Sequence, residues 1–261
     1  MPNLRTSGAS VYYELAGDGP PMLLLAGTAS DNASWGPLVP LLSGHFRLIM
    51  MDNRGSGRTQ APGVINVLDI VDDCIMLLDH LQVGKATVVG HSLGGMIGHR
   101  LAAFHTGRVE RLVAMTCSNA IGQKERTMFK DLARLYPRVE PALWFRILYQ
   151  WLFAAPGFYN EEAIAAAADA SVNYPYRQSP MDFARQVDAI DRMRPVTMEA
   201  IRCPVLAIAA EHDLLIPPEA VAKGHERVGI LETATIPGAG HSVHWEAPQA
   251  VAEAIIRFAQ G

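Results

Sequence analysis

The chain has 261 residues, 49% hydrophobic and 18% charged, with a formal net charge of −4. That balance fits one compact domain with a large core and excludes a disordered or fibrous chain. Lysine and arginine are scattered, not gathered into a run able to neutralise a row of phosphates, so nucleic acid is not an expected partner.

The opening residues lack a basic stretch followed by an apolar one, and no segment offers the roughly 18 unbroken apolar residues of a membrane span. A cytoplasmic location is the default expectation, with no membrane contact. Cys74, Cys117 and Cys203 are odd in number and widely spaced. With neither CxxC spacing nor a clustered histidine set, they are expected to be reduced, mostly buried thiols, and no metal site is expected.

Apolar runs of strand length recur at residues 22–25, 46–51, 86–89, 111–115, 205–209 and 231–236. Most are continuous, as in strands covered on both faces. Residues 66–83 carry the clearest helical period: Val67, Val71, Cys74, Ile75, Leu78 and Leu81 share a face, while Asp69, Asp72, Asp73 and Asp79 lie largely off it. Strand, helix, strand is the pattern of a mostly parallel sheet.

Residues 120–194 break this rhythm. They hold no convincing strand, are too long for an ordinary connection, and contain helix-like runs such as 161–170. A helical insertion is expected here, dividing a core domain formed by residues 1–119 and 195–261. Most of the chain's aromatic rings fall within the insertion, among them Tyr136, Trp144, Tyr149, Phe158, Tyr159 and Tyr174. Most are expected to pack it against the core, a few to line an apolar pocket.

Chemistry concentrates at strand ends. The run 86–89 leads into Gly90-His91-Ser92-Leu93-Gly94 and then a helix reaching about His105. A serine on so sharp a strand-to-helix turn needs small neighbours, since a side chain at Gly90 or Gly94 would collide where the backbone doubles back. Ser92 then projects at the sheet's end, over the positive end of a helix.

A serine hydroxyl is a weak nucleophile, so this reading demands a histidine in reach and an acid to orient it. His241 follows the last strand in a loop of small residues, 236–240, and is preferred as base; His244, joined to the residues leading into the C-terminal helix, is its rival. His91 flanks the nucleophile, but the turn is expected to point it away; His99 and His105 read as packing or surface residues. Asp213, in the loop after run 205–209 and between Ser92 and His241 along the chain, is the preferred acid, with Glu211 the alternative. The main-chain N–H groups of Leu93 and of Thr28, the latter at the end of an early strand beside Gly27, are candidate oxyanion donors.

Together these residues resemble the α/β-hydrolase superfamily over essentially the whole chain. The matching pieces are 25–28, 52–59, Gly90 to Gly95, the Asp213 loop with Pro217, and Gly240-His241 followed by Glu246 and Pro248. The chain is similar to small capped members typified by 3-oxoadipate enol-lactonase, and to aminoacrylate hydrolase-like and esterase-like relatives. The resemblance implies a mostly parallel eight-stranded sheet flanked by helices, with a cap of about residues 120–194 inserted after the sixth strand. Arg54, in the turn after the fourth strand, is structural on this reading. Ala26 stands where many relatives have histidine, and serine at 92 argues against haloalkane dehalogenase or epoxide hydrolase chemistry.

The expected function is hydrolysis of a small, partly apolar ester or lactone, without cofactor. Carbon–carbon bond hydrolysis or perhydrolysis on the same residues, or a ligand receptor that has lost turnover, remain as alternatives. The natural substrate and the oligomeric state are not legible in the sequence.

Overall fold

The structure is a computed structural model that describes residues 3–154 and 160–261. Among these, eight strands form one sheet: β1 (Asn3–Thr6), β2 (Ala9–Ala16), β3 (Pro21–Leu25), β4 (Arg47–Met51), β5 (Ala86–His91), β6 (Val109–Met115), β7 (Val205–Ala210) and β8 (Leu231–Ile236). Their order is β1-β2-β4-β3-β5-β6-β7-β8; β2 pairs antiparallel with β1 and β4, and every other pairing is parallel.

The continuous apolar runs of β3 to β7 are buried on both faces, whereas β8, at the sheet's edge, exposes Glu232, Thr233 and Thr235. Leu23 and Leu25 of β3 join one core cluster, while Met22 and Leu24 join another on the opposite side. Each buried leucine contributes roughly 1.5–3 kcal/mol relative to exposure. Helices α1 (Val39–Leu42), α2 (Val67–His80) and α3 (Leu93–Phe104) lie before β6 in the chain; α4 (Gln123–Leu135), α5 (Pro141–Leu152), α6 (Glu161–Asn173) and α7 (Pro180–Arg192) lie between β6 and β7; α8 (Pro218–His225), α9 (Val243–Glu246) and α10 (Pro248–Gln260) complete the chain. The first cluster takes in α2 and α3, the second α10 and the Trp35–Leu42 segment. No described helix is long and apolar enough to cross a membrane.

One strand pair lies outside the apolar runs of the sequence, and one side chain departs from its helical pattern. The strands β1 and β2 are not among the apolar runs, because Ser10 and Glu14 interrupt β2 and β1 is only four residues at an edge. Asp73, placed off the apolar face of α2, is buried. It accepts from Arg54 Nε at 2.6 Å and Nη2 at 2.8 Å, so the face is apolar except for one carboxylate matched to a buried guanidinium. Asn66 caps α2 by accepting from the Leu68 N–H.

Helices α4 to α7 have an aromatic core of their own. Tyr136 stacks on Trp144 at 3.6 Å between centroids, and Phe183 meets Trp144 edge-on at 5.0 Å. Contacts that tie this layer to the loops at the carboxyl end of the sheet include Gln186 donating to the Arg54 carbonyl and to Ser56, Gln178 donating to the Gly55 carbonyl, and Tyr174 donating to Asp31 at 2.8 Å. Phe158 and Tyr159 lie outside the described residues.

Candidate active site

The turn between β5 and α3 puts Ser92 at φ +53°, in the left-handed region that non-glycine residues seldom adopt. Its neighbours make that turn possible. A Cβ at Gly94 would fall on the Leu25 carbonyl, and one at Gly90 on the Gly94 carbonyl. The turn costs on the order of 1–3 kcal/mol and presents the hydroxyl at the head of α3.

His241 reaches it from the loop after β8. Its Nε2 lies 3.0 Å from Ser92 Oγ, and its Nδ1 lies 2.8 Å from Asp213 Oδ2. Because a carboxylate only accepts, Nδ1 carries the proton and Nε2 is free to accept from the serine hydroxyl. Asp213 is buried and fixed through its other oxygen, which accepts from the Leu215 and Ile216 N–H groups at 2.8 and 2.9 Å. Glu211, the alternative acid, is half exposed and caps the Gly238 N–H.

Gly27 lets the loop after β3 approach closely: a Cβ there would stand 3.2 Å from the Ser92 Cβ. Asn53 holds that loop by donating to the Ala26 carbonyl at 2.9 Å. Thr28 thereby lines two small hollows that Ser92 also borders, and Leu93, the first residue of α3, lines one of them.

The hollows are only about 30 and 20 Å³, while a cavity of about 490 Å³ lies between the helical layer and the loop at residues 29–34. Ser92 does not line the large cavity. Ala29, Ser30, Leu148, Leu152, Ser242 and Trp245 border both it and one of the hollows at Ser92, so the two spaces adjoin. The large cavity is mainly apolar and aromatic, with Tyr136, Trp144, Tyr149 and Tyr174 in its wall.

Of the remaining histidines, His91 departs from the sequence reading. His91 does not point away: it is buried beside Ser92, with Nε2 2.9 Å from the His241 carbonyl oxygen. His244 makes no bond to Ser92; its ring lies buried between His91 and Trp35, and burial pushes its pKa well down. His99 and His225 form an imidazole pair at 2.9 Å, close to Cys117, bringing together three potential metal donors that the sequence spacing concealed. His225 donates from Nδ1 to the Val221 carbonyl, so its Nε2 accepts from His99 Nε2–H; the pair is hydrogen-bonded as it stands. All three cysteines are free and buried.

The sheet order, the helices on both faces and the serine on its strand-to-helix turn define an α/β-hydrolase fold. The sequence matches the alpha/beta hydrolase family over residues 22–254, and the chain belongs to that family of hydrolases. A relative from Caulobacter sp. (strain K31) is 28% identical and covers 96% of each chain. One from Serratia proteamaculans (strain 568) is 30% identical, covering 79% of this chain and 80% of its own. Both carry the provisional name carbamate hydrolase RutD. The solved enol-lactonase of Burkholderia xenovorans LB400 is similar in fold, with a TM-score of 0.89 over the full length of both chains at 24% identity.

Proposed function

We propose that the chain is a serine hydrolase cleaving a small, partly apolar carboxylic ester or lactone through an acyl-enzyme on Ser92. The observation that carries this reading is the unbroken line from Asp213 through His241 to Ser92, with contacts of 2.8 and 3.0 Å. Asp213 keeps the His241 proton on Nδ1. His241 Nε2 takes the Ser92 proton as Oγ attacks the carbonyl carbon. The Thr28 and Leu93 N–H groups meet the charge on the carbonyl oxygen, each worth roughly 3–4 kcal/mol. Collapse expels the alkoxide, which His241 protonates; water, deprotonated by His241, then frees the acid and restores Ser92. The scheme calls on neither metal nor cofactor. Residues 120–194 act as a cap that keeps water from the acyl-enzyme, and the adjoining aromatic cavity takes the substrate's bulkier apolar part.

A second reading, carbamate hydrolysis by the same steps, is favoured by the names of the two relatives. Nitrogen lone-pair donation makes a carbamate carbonyl a poorer electrophile, so matched substrates separate the readings. A panel of p-nitrophenyl esters, lactones and p-nitrophenyl N-alkylcarbamates, with products identified, is expected to show faster turnover of esters or lactones; carbamate turnover above both would favour the second reading. Ser92→Ala is expected to lower kcat by about 10⁶, and a fluorophosphonate adduct to map to Ser92. Activity within tenfold of the parent, or an adduct elsewhere, would overturn the assignment.

A further inference from the structure

The ring of His241 is held by Asp213 and Ser92, but a ring can be aimed only if its backbone is also fixed. The loop carrying it is built of small residues, with Gly238 at φ +70°. Two side chains clasp the His241 carbonyl. His91 Nε2 lies 2.9 Å from that oxygen, and Thr116 Oγ1 donates to it at 3.2 Å. Since a carbonyl only accepts, His91 carries its proton on Nε2.

The origin of these donors gives the clasp its meaning. His91 is the last residue of β5, directly before Ser92, and pairs with Met115, the last residue of β6; Thr116 comes next. The two donors therefore arise from adjacent parallel strands, one of them the strand that bears the nucleophile. The neighbouring N–H groups of the loop go elsewhere: Gly240 N–H to Glu246, and Ser242 N–H to the Leu152 carbonyl at the end of α5. The clasp refers the base to the sheet.

Both donors are buried, so water does not compete for the oxygen. Thr116 sits at φ +45°, a position that costs a β-branched residue on the order of 1–3 kcal/mol and persists only where surrounding structure demands it. Burial also lowers the His91 pKa to about 3, so its ring stays a neutral donor across the working range.

We propose that His91 and Thr116 are positioning residues that set the His241 ring against Ser92 by fixing its main-chain carbonyl; the inference rests on the catalytic assignment above. The test uses the full-length protein, with steady-state hydrolysis of p-nitrophenyl acetate, thermal melting, and four single variants. His91→Phe keeps a ring and removes the donor, whereas His91→Gln restores an N–H at similar reach. Thr116→Val removes the hydroxyl and Thr116→Ser keeps it. A misplacement approaching 1 Å at a reacting group costs up to about 100-fold. On that scale His91→Phe is expected to lose about 30-fold to 100-fold in kcat, and Thr116→Val about 5-fold to 10-fold, with KM within about threefold of the parent. The conservative substitutions His91→Gln and Thr116→Ser are expected to recover most of the loss.

Folded His91→Phe and Thr116→Val proteins with kcat within about threefold of the parent would overturn the proposal, as would conservative variants that fall as far as the disruptive ones. If His91→Phe does not fold, the Thr116→Val and Thr116→Ser pair decides alone. Substantial activity in Ser92→Ala would instead remove the catalytic assignment. An inert Ser92→Ala beside fully active clasp variants would remove only this inference.

Discussion

Asp213 uses its two oxygens differently, and the difference decides what a minimal substitution does. Oδ1 accepts from the Leu215 and Ile216 N–H groups, while Oδ2 faces His241 Nδ1. In Asp213→Asn the single carbonyl oxygen stays with the two N–H donors, which leaves the amide NH2 facing His241. Two donors cannot meet, so the ring moves its proton to Nε2 and ceases to be a base. The expected result is a fall in kcat of about 10⁴ with little change in melting temperature. Kinetics beside a thermal melt check it; retained activity would show that His241 does not depend on Asp213 for its tautomer. The three side chains are legible in the sequence because each stands at a strand end in a short loop of distinctive composition. The role of His91 is not, since the direction of its side chain follows from the Ser92 backbone at φ +53° and from a loop 150 residues away.

The packing of α2 against the turn after β4 turns on one buried ion pair. Arg54 and Asp73 side chains are 7% and 1% exposed, and Arg54 also donates to the Ser7 carbonyl at 2.7 Å, drawing the β1–β2 hairpin into the same contact. Truncating Asp73 to alanine leaves a guanidinium in low dielectric with the neutral Ser7 carbonyl and one partly exposed carboxylate, Asp69, which is 42% exposed, at 3.3 Å. Such a loss costs about 3–5 kcal/mol, whereas Lys85→Ala, which breaks a pair with Glu110 more than half exposed on both sides, is expected to cost under about 1 kcal/mol. Denaturant titration of the two variants checks the contrast, and equal losses would contradict it. The helical period of α2 is visible from Val67 to Leu78, but a carboxylate on that face reads as solvated until its partner is known. The first hairpin has a local signal in Ser7-Gly8, with Gly8 at φ +82° joining β1 to β2. It escapes a reading by apolar runs because β2 lacks the continuous stretch that marks the inner strands.

Stability against pH is a property of the whole fold, and its clearest lever is Asp52, at the junction of sheet, site loops and helical layer. The carboxylate is fully buried and accepts from the Asn32 and Arg58 N–H groups at 2.8 Å each. Through Asn32 it holds the loop that contains Asp31, to which Tyr174 donates from the helical layer. Burial outweighs these bonds and pushes the Asp52 pKa up to about 6; burial likewise raises Asp31. A carboxyl group with a raised folded-state pKa binds its proton more tightly in the native than in the unfolded chain. Its contribution is therefore fully present below the unfolded value of 3.8 and is lost as pH rises through about 6. Asp52→Asn removes that dependence. It also sets an NH2 against one of the two backbone donors, adding an offset that does not vary with pH, so the slope and not the absolute stability is the readout. Between pH 4 and pH 7 the parent is expected to lose on the order of 2–3 kcal/mol relative to Asp52→Asn, measured by chemical denaturation at both values. Parallel stability curves would show that Asp52 is charged throughout the range, with its two N–H partners, not burial, setting its ionisation.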